Sequence, residues 1–193
     1  MKANIERRTK ETAIKMLLNL SGKGKHSVRT SIAFMDHMLT LFAHHGNFDL
    51  IVSAKGDTEI DDHHLVEDIG IVLGQAVKKA LGDKKGIQRY GNFLMPMDEA
   101  LSYIAIDISA RPCLVYKVKF AKSFAEKFNY SLLEEFFQAF ANNAGVTLHI
   151  SMKHGRNNHH IAESIFKGFG RALAQAVKKD AKIKRVPSTK GKL

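Results

Sequence analysis

Apolar and polar residues alternate along TAIKMLLNL (12–20) and again along NFDLIVSAKGD (47–57), the period-two pattern of a strand with one buried face. HSVRTSIA (26–33) reads as a further strand, separated from the first by SGKGK, a hairpin-like turn. Two stretches switch to helical spacing: FMDHMLTLFAHH (34–45), which stops at Gly46, and residues 61–81. The same order then recurs. EALSYIAIDIS (99–109) and CLVYKVKF (113–120) are strands around ARP, 130–145 is a helix ending at Gly145, VTLHISMK (146–153) is a strand, and 157–179 is a helix. Each half therefore reads ββαβα. The expected fold is α+β and internally duplicated, each half a small mixed sheet with two helices on one face. The halves cover 1–90 and 91–180, with a basic, polar tail at 181–193, and together they make one functional domain.

The duplication is visible in the residues themselves. DDHHLVEDIGIVLGQA (61–76) and NNHHIAESIFKGFGRA (157–172) align without a gap, placing His63 on His159, His64 on His160, Glu67 on Glu163 and Gly74 on Gly170. In each copy HHxxE opens a helix. Residues four apart share a helical face, so His63 with Glu67, and His159 with Glu163, can grip one ion together. The neighbouring His64 and His160 point about 100° away, toward a different ion or partner. Imidazole nitrogen with carboxylate oxygen and no thiolate suits Mn²⁺, Fe²⁺, Co²⁺ or Zn²⁺. One such pair alone would read as a cap or a surface feature, and two copies inside matching units turn the reading to metal. The first helix of each half offers a further donor, His37 in one and Glu135 in the other. Glu is a hard oxygen donor that can stand in for His on Mn²⁺ or Fe²⁺, and Glu135 reads equally well as a solvated helix residue. His45 is a near-site candidate of less weight.

Charge adds a second theme. Thirty Lys and Arg against 19 acidic residues give a net charge of +11, which suits an anionic partner such as a phosphorylated substrate, an acidic surface or nucleic acid. Arg89 and Arg111 stand near strand ends, Lys167 follows Glu163 on the same helical side, and PSTKG (187–191) joins hydroxyls, an amine and a glycine, all suited to phosphate. The basic residues show no aromatic interleaving and Trp is absent, which argues against a nucleic-acid reader. A single cysteine, Cys113, excludes a disulfide framework. No apolar run approaches the span of a bilayer, and the N-terminus carries no apolar signal core, so a cytoplasmic, membrane-free protein is expected.

The motifs DHML (36–39), DDHHLVEDIGI (61–71), PMDEAL (96–101), DISARP (107–112), EEFFQAFANNAG (134–145), NNHHIAESIFKGF (157–169) and PSTKG resemble, in order and spacing, the imidazoleglycerol-phosphate dehydratase family. The resemblance covers nearly the whole chain. It implies a ribosomal protein S5 domain 2-like fold and a manganese-dependent lyase of histidine biosynthesis, which removes water from imidazole glycerol phosphate to give imidazole acetol phosphate. It implies two Mn²⁺ per active site and a homo-oligomeric 24-mer built from trimers, with the metal sites at subunit contacts. By position, the ligands fall on His37, His63, His64, Glu67, Glu135, His159, His160 and Glu163. Many relatives have His where this chain has Glu135. Substrate contacts fall on Glu11, Arg89, Arg111, Lys167, Ser188 and Lys190, with His45 and Thr189 beside them.

The hydrogen to be removed is not acidic, so a direct carbanion is out of reach near neutral pH. A metal on the substrate ring favours its imidazolate, which can help expel hydroxide through a diazafulvene-like intermediate. Glu11 is the candidate for proton transfer and Glu163 the less favoured one. A hydrolase using the same ligands, and a metal store without catalysis, are the rival readings.

Overall fold

The computed structural model describes residues 1–121, 127–180 and 182–191. Chain positions 181, 192 and 193 of the tail lie outside the described residues. The elements are β1 (Lys2–Arg8), β2 (Thr12–Asn19), β3 (His26–Arg29), α1 (Ala33–Gly46), β4 (Asp49–Gly56), α2 (His63–Leu81), β5 (Tyr90–Met97), β6 (Ala100–Asp107), β7 (Cys113–Lys117), α3 (Leu132–Ala144), β8 (Thr147–His154) and α4 (Asn158–Val177). They build two four-stranded sheets of identical order, β1-β2-β4-β3 and β5-β6-β8-β7. In both, the last strand runs parallel to its neighbour and the others are antiparallel. The duplicated α+β architecture with mixed sheets is as the sequence pattern predicts.

Two details differ. Each half opens with a further strand, so the unit is βββαβα. Both extra strands, β1 and β5, are sheet edges. KANIERR is mostly charged, and YGNFLMPM contains Pro96, which an edge strand tolerates because one side of it needs no ladder donor. β1 alternates but carries only two apolar residues, Ala3 and Ile5, and β5 runs Phe93, Leu94 and Met95 together, so neither stands out by pattern. SGKGK is also not a hairpin turn, since β4 inserts between β2 and β3. The loop crosses over and is pinned by Asp49, whose Oδ1 accepts the backbone N–H of Lys23 at 2.9 Å and of Lys25 at 3.2 Å.

The core lies between the sheets. α1 and α2 pack on the first sheet and α4 on the second, while α3 leans on β7; across the middle, α1 crosses α4 and α2 crosses α3. Seven phenylalanines, among them Phe42, Phe140, Phe166 and Phe169, are fully buried there. Phe42 stacks on Phe169 with ring centroids 4.9 Å apart. The helices approach closely because each crossing contains a glycine. A Cβ on Gly170 would stand 2.5 Å from the Phe42 carbonyl oxygen, and one on Gly74 would stand 2.7 Å from that of Phe140. The α1–α4 crossing brings His37, from the first half, against the HHxxE segment of the second.

Candidate metal centre and its surroundings

α4 begins at Asn157, whose side-chain oxygen accepts the N–H of His159 (2.9 Å) and of His160 (3.4 Å). The first helical turns then set His159 over Glu163. His159 Nε2 and His37 Nε2 each lie 3.0 Å from Glu163 Oε1, and one donor atom from each of the three residues falls within 4.8 Å of the others. Among the described residues this is the one His, Cys, Asp or Glu group of three or more that closes to that distance. The His37 and His159 rings lie near parallel, centroids 5.5 Å apart, and Phe34 meets His159 edge-on. Glu163 Oε2 pairs with Lys167 Nζ at 2.6 Å. Burial opposes its charge, but the Lys167 ammonium and the hydrogen bonds from His37 and His159 outweigh it and hold its pKa down to about 2. An ionised, buried carboxylate converging with two imidazole nitrogens has the donor chemistry that a divalent cation requires. His45, at the end of α1, feels the charges of both Lys167 and Glu163, so it stands beside this group; burial, then His44 and Lys167, lower its pKa.

The other clamp is looser. His63 Nε2 is 3.6 Å from Glu67 Oε2, both side chains are half exposed, and Glu135 is exposed in the first turn of α3. The cap oxygen of α2 comes from Asp61, which accepts the His63 N–H at 2.8 Å.

The second histidine of each HHxxE turns elsewhere, as its position on the helix requires. His64 Nδ1 lies 3.0 Å from Asp57 Oδ2, and this hydrogen bond raises its pKa, with the charges of Glu11 and Asp61 adding to it. His160 Nδ1 lies 2.7 Å from Glu99 Oε2, and that bond raises its pKa likewise. Glu99 is held at about 2, chiefly by His160 and also by the N–H groups of Asn157 and Arg156. A carboxylate on Nδ1 orients an imidazole so that Nε2 faces outward, the arrangement that supports a metal-ligating histidine. In metal-free protein, Glu99→Gln is therefore expected to lower the His160 titration midpoint, because the neutral amide no longer favours the imidazolium. Two-dimensional NMR of the ring nitrogens across pH 5–9 measures it, and an unmoved midpoint would remove Glu99 from this role.

Glu11 sits in the turn between β1 and β2, which is strapped to α2 on both sides of it. Arg7 makes a two-armed contact with Asp68 (Nη1 to Oδ2 3.1 Å, Nη2 to Oδ1 3.1 Å), and Thr12 Oγ1 donates to Asp68 Oδ2. Asp68 follows Glu67 directly, so the strap aligns Glu11 with the helix that carries His64.

Arg89 uses its fork on Asp107 (Nε to Oδ1 2.7 Å, Nη2 to Oδ2 3.1 Å) and gives Nη1 to the Pro187 carbonyl at 3.0 Å. Its side chain thus anchors the tail, and Arg111, exposed, stands 3.9 Å from the same Asp107. Arg89, Tyr90, Lys184, Arg185, Ser188 and Thr189 line one open basic depression, and the Lys190 N–H donates to Ser188 Oγ. The Arg89 backbone N–H binds the carbonyl of Ala176, in the last turn of α4. His159 is in the first turn of the same helix. At 1.5 Å per residue, the Ala176 carbonyl that holds Arg89 lies about 20 Å from Glu163 and about 25 Å from His159 along α4.

Asp57, Asp68, Glu99 and Asp107 escape the sequence reading. Asp68 alone leaves a trace there: it is an acid at a helix position whose neighbours Val66, Ile69 and Gly70 are all buried.

Two like halves, joined through a clamp that draws donors from both, define a duplicated α+β enzyme scaffold with the donor chemistry of a cation site. The family model described as imidazoleglycerol-phosphate dehydratase matches residues 30–173. The chain is 60% identical to an imidazoleglycerol-phosphate dehydratase of Endomicrobium trichonymphae, over 98% of this chain and 97% of that one. It is 56% identical to that of Geobacter sulfurreducens, over 100% and 98%. A solved imidazoleglycerol-phosphate dehydratase from Pyrococcus furiosus superimposes with a TM-score of 0.85 at 40% identity, covering 98% of this chain and 100% of that one. The Staphylococcus aureus structure gives 0.84 at 38% identity, covering 93% and 100%. The chain belongs to the imidazoleglycerol-phosphate dehydratase family, a lyase of histidine biosynthesis. Among the described residues, no helix is long and apolar enough to cross a membrane.

Proposed function

We propose that this chain dehydrates imidazole glycerol phosphate with two Mn²⁺ per active site, in a site completed only when subunits combine. The observation that carries the shared site is the separation of about 20–25 Å between clamp and tail within one chain. A substrate about 10 Å long by ordinary bond lengths cannot touch both ends of one α4. The oligomer in this proposal, which follows the family resemblance, is a 24-mer built from trimers, working in the cytoplasm, with neither nucleic acid nor membrane as partner.

His37, His159 and Glu163 would hold one ion, and His63, Glu67 and Glu135 the other. His64 and His160, turned outward by Asp57 and Glu99, would complete sites shared with neighbouring subunits. When bound, the metal supplies positive charge that favours the imidazolate form of the substrate ring. Glu11 takes the proton: it is exposed, held in place by the Arg7–Asp68–Thr12 strap, and near His64. Glu163 suits proton transfer less well, because both its oxygens are already engaged. At the tail, Ser188, Thr189 and Lys190 bind the phosphate. Arg111 adds charge from an exposed side chain that only skirts Asp107. Arg89 contributes chiefly by fixing Pro187, and Lys167 by joining the clamp to the anionic end of the substrate.

The experiment follows product and metal together. Purified protein with Mn²⁺ is expected to form the enolisable ketone without releasing inorganic phosphate. Chelation should abolish turnover and Mn²⁺ should restore it. Undiminished turnover by protein shown metal-free by elemental analysis would refute the manganese reading, and phosphate release would point to hydrolysis.

A further inference from the structure

The two halves do not supply equal clamps. Gly170 against Phe42 and Gly74 against Phe140 are equivalent contacts, so the two helix crossings share one register. Glu163 and His37 lie seven and five residues before the first pair, and Glu67 and Glu135 lie seven and five before the second. The helix ends agree: Asn47 and Gly145, five residues after Phe42 and Phe140, are both left-handed C-caps with φ of 54° and 67°. Glu135 therefore occupies in α3 the place that His37 occupies in α1. The place of Lys167, which neutralises Glu163, is taken in α2 by Ile71. One donor set is two imidazoles and a carboxylate with an ammonium alongside. The other is one imidazole and two carboxylates, with Ile71 where the first has its ammonium. Only the first draws to within 4.8 Å among the described residues.

We propose that the two cation sites served by this chain differ in kind: the α1–α4 site selects a borderline transition ion, while the α2–α3 site is a hard-oxygen site at which Mg²⁺ competes with Mn²⁺. Carboxylates favour hard cations and imidazole favours transition ions, and a second full negative charge strengthens binding of any divalent ion without regard to softness. This inference rests on the two-ion reading above and adds that the ions are not interchangeable.

Equilibrium dialysis of the Mn²⁺-loaded protein against excess Mg²⁺ tests it, with bound Mn²⁺ read by elemental analysis. Wild type is expected to start with two Mn²⁺ per chain, lose one and keep one. Glu135→His, a change at an exposed helix position, should keep both, and His37→Glu should lose both. Circular dichroism and particle size establish that each variant is folded and assembled. Loss of both ions or of neither from wild type overturns the inference, as does a Glu135→His protein that behaves like wild type. A starting content of one Mn²⁺ per chain overturns the two-ion reading itself, and this inference with it.

Discussion

Mixing two inactive variants is expected to restore dehydration. Glu163→Gln removes the charge on which His37, His159 and Lys167 converge, and should cost about a thousandfold or more in turnover, on the order of 4 kcal/mol of transition-state stabilisation. The tail variant Ser188→Ala/Lys190→Ala removes a hydroxyl that lines the basic depression and an ammonium from the tail segment that forms it. It should cost about a hundredfold, on the order of one or two charge-assisted hydrogen bonds. In each homogeneous protein every site carries the defect. In a mixture dissociated and reassembled together, a site that takes its clamp from one chain and its tail from another can draw both intact parts. With random assembly from equal amounts, about a quarter of sites are whole, as symmetry-repeated interfaces require. Recovery toward a quarter of wild-type activity is the expected result. A reassembled mixture no more active than the sum of its parents would place clamp and tail in the same chain's site, against the roughly 20–25 Å that α4 sets between them.

The alternating strands and the twin HHxxE blocks made the duplicated fold readable, because buried faces and metal-type donors leave a period in the chain. β1 left only a faint one, Ala3 and Ile5 among charged residues, and in β5 the run Phe93, Leu94 and Met95 breaks the alternation. The clamp was only partly readable. That His159 stands over Glu163 follows from helical spacing, and His37 was legible as a donor; the structure adds that it joins the second half's pair, from a helix more than a hundred residues earlier. What brought it there is the glycine crossing, a contact that involves no polar residue and shows in the sequence only as the aligned pair Gly74 and Gly170. The carboxylates that orient His64 and His160 were invisible for a related reason. Asp57 and Glu99 lie outside the helices they serve, and no spacing rule links a loop or turn acid to a ring nitrogen. Arg89 was legible as a basic residue but not as an anchor, since its partners Asp107 and Pro187 meet it only after the tail folds back.

Gly170→Ala should destabilise the protein, although the same exchange ordinarily stabilises a helix interior by about 1 kcal/mol. The sign reverses because the new Cβ would lie 2.5 Å from the Phe42 carbonyl oxygen and 3.0 Å from the Gly46 nitrogen, both backbone atoms that no side-chain rotation can clear. Helices α1 and α4 must move apart, loosening the Phe42–Phe169 stack at the centre of the core. Forced overpacking of this kind costs about 1–3 kcal/mol and sometimes more. For a chain of this size that is a fall of roughly 2–12 °C in melting temperature. Gly74→Ala should act similarly through Phe140, 2.7 Å from its added carbon. Gly82→Ala provides the comparison: nothing lies within 4 Å of its Cβ, and only its backbone conformation, φ 56° with ψ −124°, penalises the change, by about 1–3 kcal/mol. Calorimetry on the three proteins separates these costs. The two crossing variants should also differ in chemistry, since Gly170→Ala displaces His37 from Glu163 while Gly74→Ala leaves that trio in place. A Gly170→Ala protein that melts with wild type would mean that the crossing has room to spare, and the register from which Glu135 is matched to His37 would lose its foundation.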